Sequence, residues 1–503
     1  MIALLDRLTA RVTMYRLAII VLAAISVNAL AASFGGLLSF SPLALISSAA
    51  VALASTLISS RVVALLFRTT PHLESSIISA LILFLLFYPS IASADLTALA
   101  LAGVAATASK YLIAWRGRHL LNPAATGAAV VALLHFNSAV WWVASSALLP
   151  VTLLGAFVML QRTRRLTMAA AFVAVSATVL VLRFVASGDS PGAALATAFV
   201  SYPIIFFAGF MFSEPLTMAP RRWQQLAIAV IVGVLFGLVG AVAPLGPLTL
   251  SFEVALLVGN AVSFVAGQRR GMRLELRSKT QLTPTTWQFG FRPDRPVRFR
   301  AGQYLELDLP HRGVDRRGSR RTFSISSAPV DSELVTVTLR MPATPSTFKK
   351  SLLALEPGAV RRATLVGGDF LLPRSPDIGV LLIAGGIGVT PFLSQLAEDR
   401  SRGMIRAATL LFVARGAEDL AIIAGLADDE VLIISPTKPE ALPNRWRWLG
   451  AERISAPLLV REIPDVANRA VFVSGSPAMV HAVKSAARRA GTQRIVSDYF
   501  SGY

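Results

Sequence analysis

A polytopic α-helical membrane domain of about ten helices, followed by a small antiparallel β-barrel and then an α/β domain, is the architecture this sequence predicts, on three observations. Of its 503 residues, 54% are hydrophobic and 15% are charged, too apolar a balance for an ordinary globular chain of this length. The apolarity is concentrated in long uncharged runs from residue 17 to about 267. From Gln268 onward charge is interspersed, and short β-rich segments give way after Gly379 to strands that alternate with helices. The expected domains are 1–267, 268–376 and 377–503.

A hydrocarbon core of about 30 Å takes roughly 20 apolar residues per helix. Ten stretches qualify: 17–35, 37–60, 75–93, 95–115, 121–136, 138–160, 166–186, 193–213, 224–244 and 249–267. Residues 1–36 have the outline of a secretory signal, with Arg7, Arg11 and Arg16 ahead of an apolar run and small residues around Ala29-Leu30-Ala31. They are read as the first span because that makes the helix count even. Threaded alternately, the spans place Arg61, Arg68, Lys110, Arg116, Arg118, Arg162, Arg164, Arg165, Arg221, Arg222, Arg269 and Arg270 on one side. The other side carries little beyond Asp95 and Asp189. The positive-inside rule then puts both termini and everything after residue 267 on the cytoplasmic face of an inner (plasma) membrane.

The formal charge of +20 is accounted for by the same flanking arginines, so the lipid bilayer and not nucleic acid is the expected partner. With no cysteine in the chain, disulfides are excluded, as are iron–sulfur clusters held by thiolates. Glu214, Pro215 and Pro220 in a cytoplasmic loop, and Glu253 near a helix start, read as solvated interfacial groups.

Three stretches of the apolar half, HLLNPAATGAA at 119–129, SEPLTMAP at 213–220 and FEVALLVGNAV at 252–262, resemble the NqrB/RnfD membrane family. These are flavin-bearing ten-helix subunits of sodium-translocating NADH:quinone oxidoreductase and of Rnf complexes. That resemblance implies electron transfer to quinone or to a flavoprotein, with other electron-transfer subunits as partners. The family attaches FMN to the threonine of an S-G-A-T type run. The nearest match here, Thr126-Gly127-Ala128-Ala129, lacks the accepting hydroxyl at its last position. FMN or riboflavin in this half would therefore be held noncovalently. Intramembrane carboxylates, which mark ion paths, are few, so ion pumping is not expected.

In the second half, segments such as RFRAGQYLELDLP and LVTVTLRM suit a small antiparallel barrel. The runs VLLIAGG, ATLLFVAR, EVLIIS and AVFVSGS, spaced by helical stretches, form the pattern of a parallel α/β nucleotide-binding domain. This order of domains, with Arg321-Thr322-Phe323-Ser324 matching an R-x-Y/F-S motif and Gly302-Gln303-Tyr304 matching a G-Q-Y/F strand, resembles the ferredoxin–NADP⁺ reductase family. The resemblance implies FAD as cofactor and NAD(P)H as reductant. Arg321 would pair with the FAD pyrophosphate, Phe323 and Tyr304 would frame the isoalloxazine, and Ser324 would hydrogen-bond near flavin N5. A planar guanidinium suits bidentate phosphate binding.

Ser346 and Thr347 open a predicted helix and serve equally as phosphate ligands or as caps. Gly367-Gly368-Asp369-Phe370 fits the family's closing barrel loop. The segment IAGGIGVTPFLSQL at 383–396 supplies Gly385, Gly386 and Gly388, whose turn would let a dinucleotide pyrophosphate approach backbone amides, followed by Thr390 and Pro391. In VFVSGSPAMV, Ser474 stands beside Gly475 where the family has a cysteine near the nicotinamide, and the terminal SDYFSGY places Asp498, Phe500 and Tyr503 toward the flavin or in a packed final strand. The run Ala414-Arg415-Gly416-Ala417-Glu418-Asp419 holds both a phosphate-seeking arginine and ribose-seeking acids. The resemblance of the whole chain leans toward NADH.

Two other readings are open. A haem-bearing ferric reductase type needs paired axial histidines on facing helices, and His72, His119 and His135 do not supply them; His119 reads as an interfacial residue. A transporter whose flavin domain senses redox state would bind FAD without sustained NAD(P)H oxidation.

Overall fold

The structure, a computed structural model, describes residues 12–499 apart from 70, 116–117, 244–248, 268–270, 316–317 and 332. The chain divides at residues 269–270 into two compact units.

The first unit is helical: α1 (Met14–Phe34), α2 (Pro42–Leu66), α3 (Leu73–Leu86), α4 (Ser93–Leu112), a short hairpin β1 (Ala114–Trp115) and β2 (Arg118–His119), α5 (Pro123–Leu133), α6 (Leu149–Thr163), α7 (Leu166–Ala186), α8 (Pro191–Val200), α9 (Ile204–Phe212), α10 (Arg222–Gly237) and α11 (Phe252–Ala266). Starts are set by local chemistry, since Ser41, Asn122, Ser190 and Ser251 each accept a hydrogen bond from a first-turn N–H. Gly233 and Gly237 let α10 lie close on α7, where a Cβ on Gly237 would sit 2.6 Å from Val179 Cβ.

Ten spans were expected, whereas α1, α2 and α7 are the three helices long and apolar enough to cross a membrane among the described residues; the pair α8 and α9, bent by 50°, makes a fourth if taken as one. α5, at 11 residues, reaches about 16 Å, well short of the hydrocarbon thickness. Hydropathy registers apolar side chains and not backbone continuity, so it cannot see where an apolar run leaves the helix. Residues 138–148, expected within the sixth span, fold irregularly. Part of their backbone is satisfied by protein, the Val140 and Trp141 N–H groups donating to Leu86 O at 2.9 and 2.8 Å, and the Trp142 side chain donates from Nε1 to Phe84 O at 2.8 Å.

The second unit holds two six-stranded sheets. The first contains β3 (Met272–Thr283), β4 (Thr286–Pro293), β5 (Tyr304–Asp308), β6 (Arg320–Ser324), β7 (Val335–Arg340) and β8 (Val360–Gly367), antiparallel in the order β6-β5-β8-β3-β4-β7. An antiparallel bridge from Ile325 to Val337 joins its ends, closing it into the expected barrel around Leu274, Phe289, Leu305 and Val337. The helix α12 (Thr347–Leu353) packs Phe348 into this core.

The second sheet contains β9 (Val380–Gly385), β10 (Ala408–Val413), β11 (Glu430–Ile434), β12 (Trp446–Trp448), β13 (Ala470–Gly475) and β14 (Ile495–Tyr499), all parallel in the order β12-β11-β10-β9-β13-β14. β9 is buried throughout Val380–Ala384, as a central parallel strand covered on both faces must be. The covering helices include α13 (Thr390–Ser401), α14 (Ala456–Glu462) and α15 (Pro477–Arg489). Barrel and sheet are tied through α13: Ser394 Oγ donates to Ser327 O at 2.6 Å and Gln395 Nε2 to Phe370 O at 2.7 Å.

Candidate functional site

The barrel places the R-x-F-S segment on β6 opposite β5. Register pairs Ser324 with Tyr304, Phe323 with Leu305 and Arg321 with Leu307. Directly opposed residues share a face and successive ones alternate, so Ser324 and Tyr304 lie on one face while Arg321 and Phe323 lie on the other. Thr322 is exposed, and Ser324, 7% exposed, makes no side-chain hydrogen bond among the described residues.

Arg321 is buried and held from several sides. Its Nη1 donates to Gly318 O at 2.9 Å and Arg320 O at 2.6 Å, its Nη2 reaches Asp315 Oδ1 at 3.1 Å, and its guanidinium carbon lies 5.2 Å from the Phe348 ring centroid. Ser346 is the cap of α12, its hydroxyl accepting from Lys349 N at 3.3 Å. The Thr347 hydroxyl lies 3.0 Å from His311 Nε2 and accepts from Asp315 N at 3.1 Å. Asp315 therefore links Arg321 to Thr347, bringing together two residues 26 positions apart in the sequence. The linking residues His311 and Asp315 escaped the sequence reading because HRGVD looks like any polar loop. Gly302, at φ +89°, is required where it stands: a Cβ there would collide with Phe370 O and Gln395 Nε2, the very groups that join barrel to sheet.

In the α/β sheet, β9 lies between β10 and β13, where the strand order reverses. Ligands of open α/β sheets bind at the carboxyl ends of strands at such a switch. Gly385 ends β9, Gly386–Val389 form one tight turn, and Thr390 and Pro391 start α13. The buried Thr390 hydroxyl donates to Ile387 O at 3.1 Å. Gly388 admits no side chain, since a Cβ would sit 2.5 Å from Ser474 O. The glycine turn and Ser474-Gly475 are thus in direct contact. Ser474 is fully buried and its Oγ has no partner among the described residues.

Register sets Asp498 of β14 beside Ser474; burial pushes its carboxyl above the usual carboxylate range, against the opposing hydrogen bond from Tyr499 N. Phe500 and Tyr503 lie outside the described residues. The run at 414–419 closes on itself: buried Asp419 spends Oδ2 on Arg415 N at 3.0 Å, and a Cβ on Gly416 would strike the Glu418 carboxylate.

These residues fit a flavin and a dinucleotide. The buried Ser474 hydroxyl has hydrogen-bonding capacity left over, which a fold leaves unspent only at a cost. Arg321 beside Thr347 supplies phosphate donors, and the turn at Gly386–Gly388 leaves backbone amides open to close approach.

The helical unit holds a second polar cluster, built from the three stretches singled out in the sequence. Glu214 Oε1 lies 2.9 Å from His119 Nε2, and its Oε2 accepts from Asn122 Nδ2 at 2.9 Å. Asn122 N donates to Asn260 Oδ1 at 2.8 Å, while the buried Arg118 donates to Leu216 O at 2.6 Å and Pro215 O at 2.7 Å. Glu214 was expected to be solvated and His119 interfacial; with Arg118 the structure instead makes them the joint between β2, α5, α11 and the segment after α9. Glu253 is likewise buried, 2% exposed, with Trp141 Nε1 3.3 Å from its Oε2.

No protein-family model matches the chain. Among curated proteins, it is similar to an NADPH oxidoreductase of Mycobacterium tuberculosis, 31% identical over 172 residues, covering 32% of this chain and 42% of that protein. It is also similar to the NADH oxidoreductase HCR of Escherichia coli, 24% identical over 231 residues, covering 45% and 67% respectively. The chain thus spans less than half of the mycobacterial relative. Ferredoxin–NADP reductase B of Sorangium cellulosum is 31% identical over 199 residues, which are 38% of this chain and 79% of that protein. With the closed barrel, the parallel sheet and the glycine turn at its switch point, this likeness establishes that the chain belongs to the ferredoxin–NADP⁺ reductase family.

Proposed function

We propose that the chain is a membrane-bound flavin oxidoreductase that takes electrons from NAD(P)H and passes them to an acceptor in the membrane or beyond it, a quinone or a flavoprotein. The observation that carries this reading is the contact of the Gly386–Gly388 turn with Ser474, in the unit whose barrel presents Ser324 and Tyr304 on one face. FAD, when bound, takes up two electrons with a hydride and releases them singly, which joins a nicotinamide to a one-electron carrier. Arg321 and Thr347 hold phosphate, the first by charge and the second by its hydroxyl. Ser324 donates a hydrogen bond at the ring edge. The glycine turn admits a pyrophosphate against backbone N–H groups, and Ser474 orients the nicotinamide through its free hydroxyl.

The helical unit is read as a membrane domain of the NqrB/RnfD type, with the reductase domains on the cytoplasmic face. Support comes from α1, α2 and α7, each long and apolar enough to cross a bilayer. It comes also from the meeting of Asn122, Glu214 and Asn260, one from each of the three stretches that carry the resemblance. The test is anaerobic: detergent-purified full-length protein is mixed with NADH or NADPH while the flavin band is followed, and flavin is counted after acid extraction. Bleaching of a bound FAD is expected. A preparation that reconstitutes with FAD and is bleached by neither dinucleotide would falsify the oxidoreductase reading and favour a redox-sensing transporter.

A further inference from the structure

The helix that follows the glycine turn, α13, grips the barrel by its backbone at three separate places. Ser394 Oγ donates to Ser327 O, just past β6, and Gln395 Nε2 donates to Phe370 O, just past β8. Glu398 Oε2 accepts from Ala301 N at 3.2 Å, ahead of β5. Residues 394, 395 and 398 are neighbours on one helix face, and Ser394 and Gln395 are 0% and 1% exposed. Four residues after Gln395, Asp399 holds Arg406 at 2.8 Å. The Arg406 guanidinium donates to Pro373 O at 3.0 Å and Ser375 O at 2.9 Å, in the segment that joins β8 to β9. Every barrel partner of α13 is a main-chain atom, so the joint is specified by the side chains of the helix.

Gln395 is its centre. A Cβ on Gly302 would strike both Phe370 O and Gln395 Nε2, so three segments meet at this amide with no room to slide. Gly302 leads into Gln303, whose Nε2 donates to Gly368 O at 3.1 Å, and then into Tyr304, on the face that also carries Ser324. At its other end α13 begins with Thr390 and Pro391, immediately after Gly386–Val389, the turn that rests on Ser474. A helix of 12 residues, about 18 Å long, therefore connects the glycine turn to the strand that presents Tyr304.

We propose that α13 is the strut that sets the barrel face of Tyr304 and Ser324 against the glycine turn, with Gln395 and Ser394 as positioning residues on which hydride transfer depends. This rests on the oxidoreductase reading above. Reacting atoms must come within about 3–3.5 Å of each other, and a misplacement of about 1 Å costs up to roughly 100-fold in rate. A joint remote from the chemistry thus reaches it through distance. The test uses the full-length flavin-loaded protein in detergent. Because the chain has no cysteine, Thr280→Cys on β3 and Ala424→Cys ahead of β11, both exposed, take spin labels whose separation is read by pulsed electron resonance. Gln395→Met and Ser394→Ala are each expected to broaden that distance distribution and to slow flavin reduction at saturating dinucleotide about tenfold or more, with dinucleotide affinity changed less than about twofold. Ser394→Ala removes a single oxygen and decides the matter alone if Gln395→Met does not fold. Leu459→Ala is the control, because it opens the core on the opposite face of the sheet from α13. It should lower the melting temperature and keep the wild-type distance and rate. Distributions as narrow as the wild type, a broadened distribution with an unchanged rate, or a Leu459→Ala protein slowed to the same extent overturns the assignment. If the distributions broaden yet neither dinucleotide bleaches the wild-type flavin, the strut stands and the oxidoreductase reading fails.

Discussion

At Asp498 a half-buried carboxyl stands one strand from Ser474, and its neighbours do not compensate its charge. Burial raises its pKa above the ordinary carboxylate range, and the hydrogen bond from Tyr499 N offsets this in part. The folded state thus binds a proton more tightly than the unfolded chain. The stability contributed by the protonated form is complete below the ordinary carboxylate pKa and is lost as pH rises through the raised one. Asp498→Asn, which keeps the acceptor for Tyr499 N and cannot ionise, is expected to raise the melting temperature of the reductase unit at pH 7.5 and to leave it unchanged near pH 4. A melting temperature lowered at pH 7.5 but unchanged near pH 4 would show that the charge is wanted. At this same scale the sequence was informative where a motif carries its own geometry. Arg321 and Ser324 had to lie on opposite faces once β6 was a strand, but that Asp315 and His311 would steady Arg321 and Thr347 depended on a loop folding back, which no local pattern encodes.

Helices of the first unit show where element-level reasoning holds and where it stops. Caps at Ser41, Asn122 and Ser251 set helix starts at Pro42, Pro123 and Phe252, where hydropathy alone placed them at 37, 121 and 249. Lengths were misjudged because an apolar run such as 138–148 can leave the helix while burying only part of itself, here Trp141, Trp142, Val143 and Leu148. What holds the short helices is polar: the Asn260 carbonyl accepts the N–H of Asn122, which in turn caps α5 and steadies Glu214. Asn260→Leu removes that acceptor and strands a buried N–H, at a cost of ~1–3 kcal/mol. Thermal unfolding in detergent should register a lower midpoint, and an unchanged midpoint would mean that water or lipid replaces the bond.

For the molecule as a whole, the absence of cysteine makes the proposed topology directly measurable, because any introduced thiol is the sole one. Ser187 follows α7 and Ser401 ends α13, and both are exposed in their own units. Single substitutions Ser187→Cys and Ser401→Cys should react with a membrane-impermeant maleimide in intact cells and only after permeabilisation, respectively. The reverse pattern, or labelling of both from outside, would remove the cytoplasmic placement of the reductase unit and with it access to cellular NAD(P)H.

The division between what sequence determined and what tertiary structure decided follows the range of the forces involved. Barrel, parallel sheet, glycine turn and the strand carrying Arg321–Ser324 were legible because alternation, turn chemistry and short motifs act over a few residues. The helical character of the first half was legible for the same reason. Which helices are long enough to reach across a membrane, whether Glu214 meets water or Asn122, and which residues line a cleft at the ends of β10 and β11 depend on contacts between residues tens to more than a hundred positions apart. Arg453 is an unremarked arginine in the chain and a cleft residue only because β10, β11 and α15 bring their ends together.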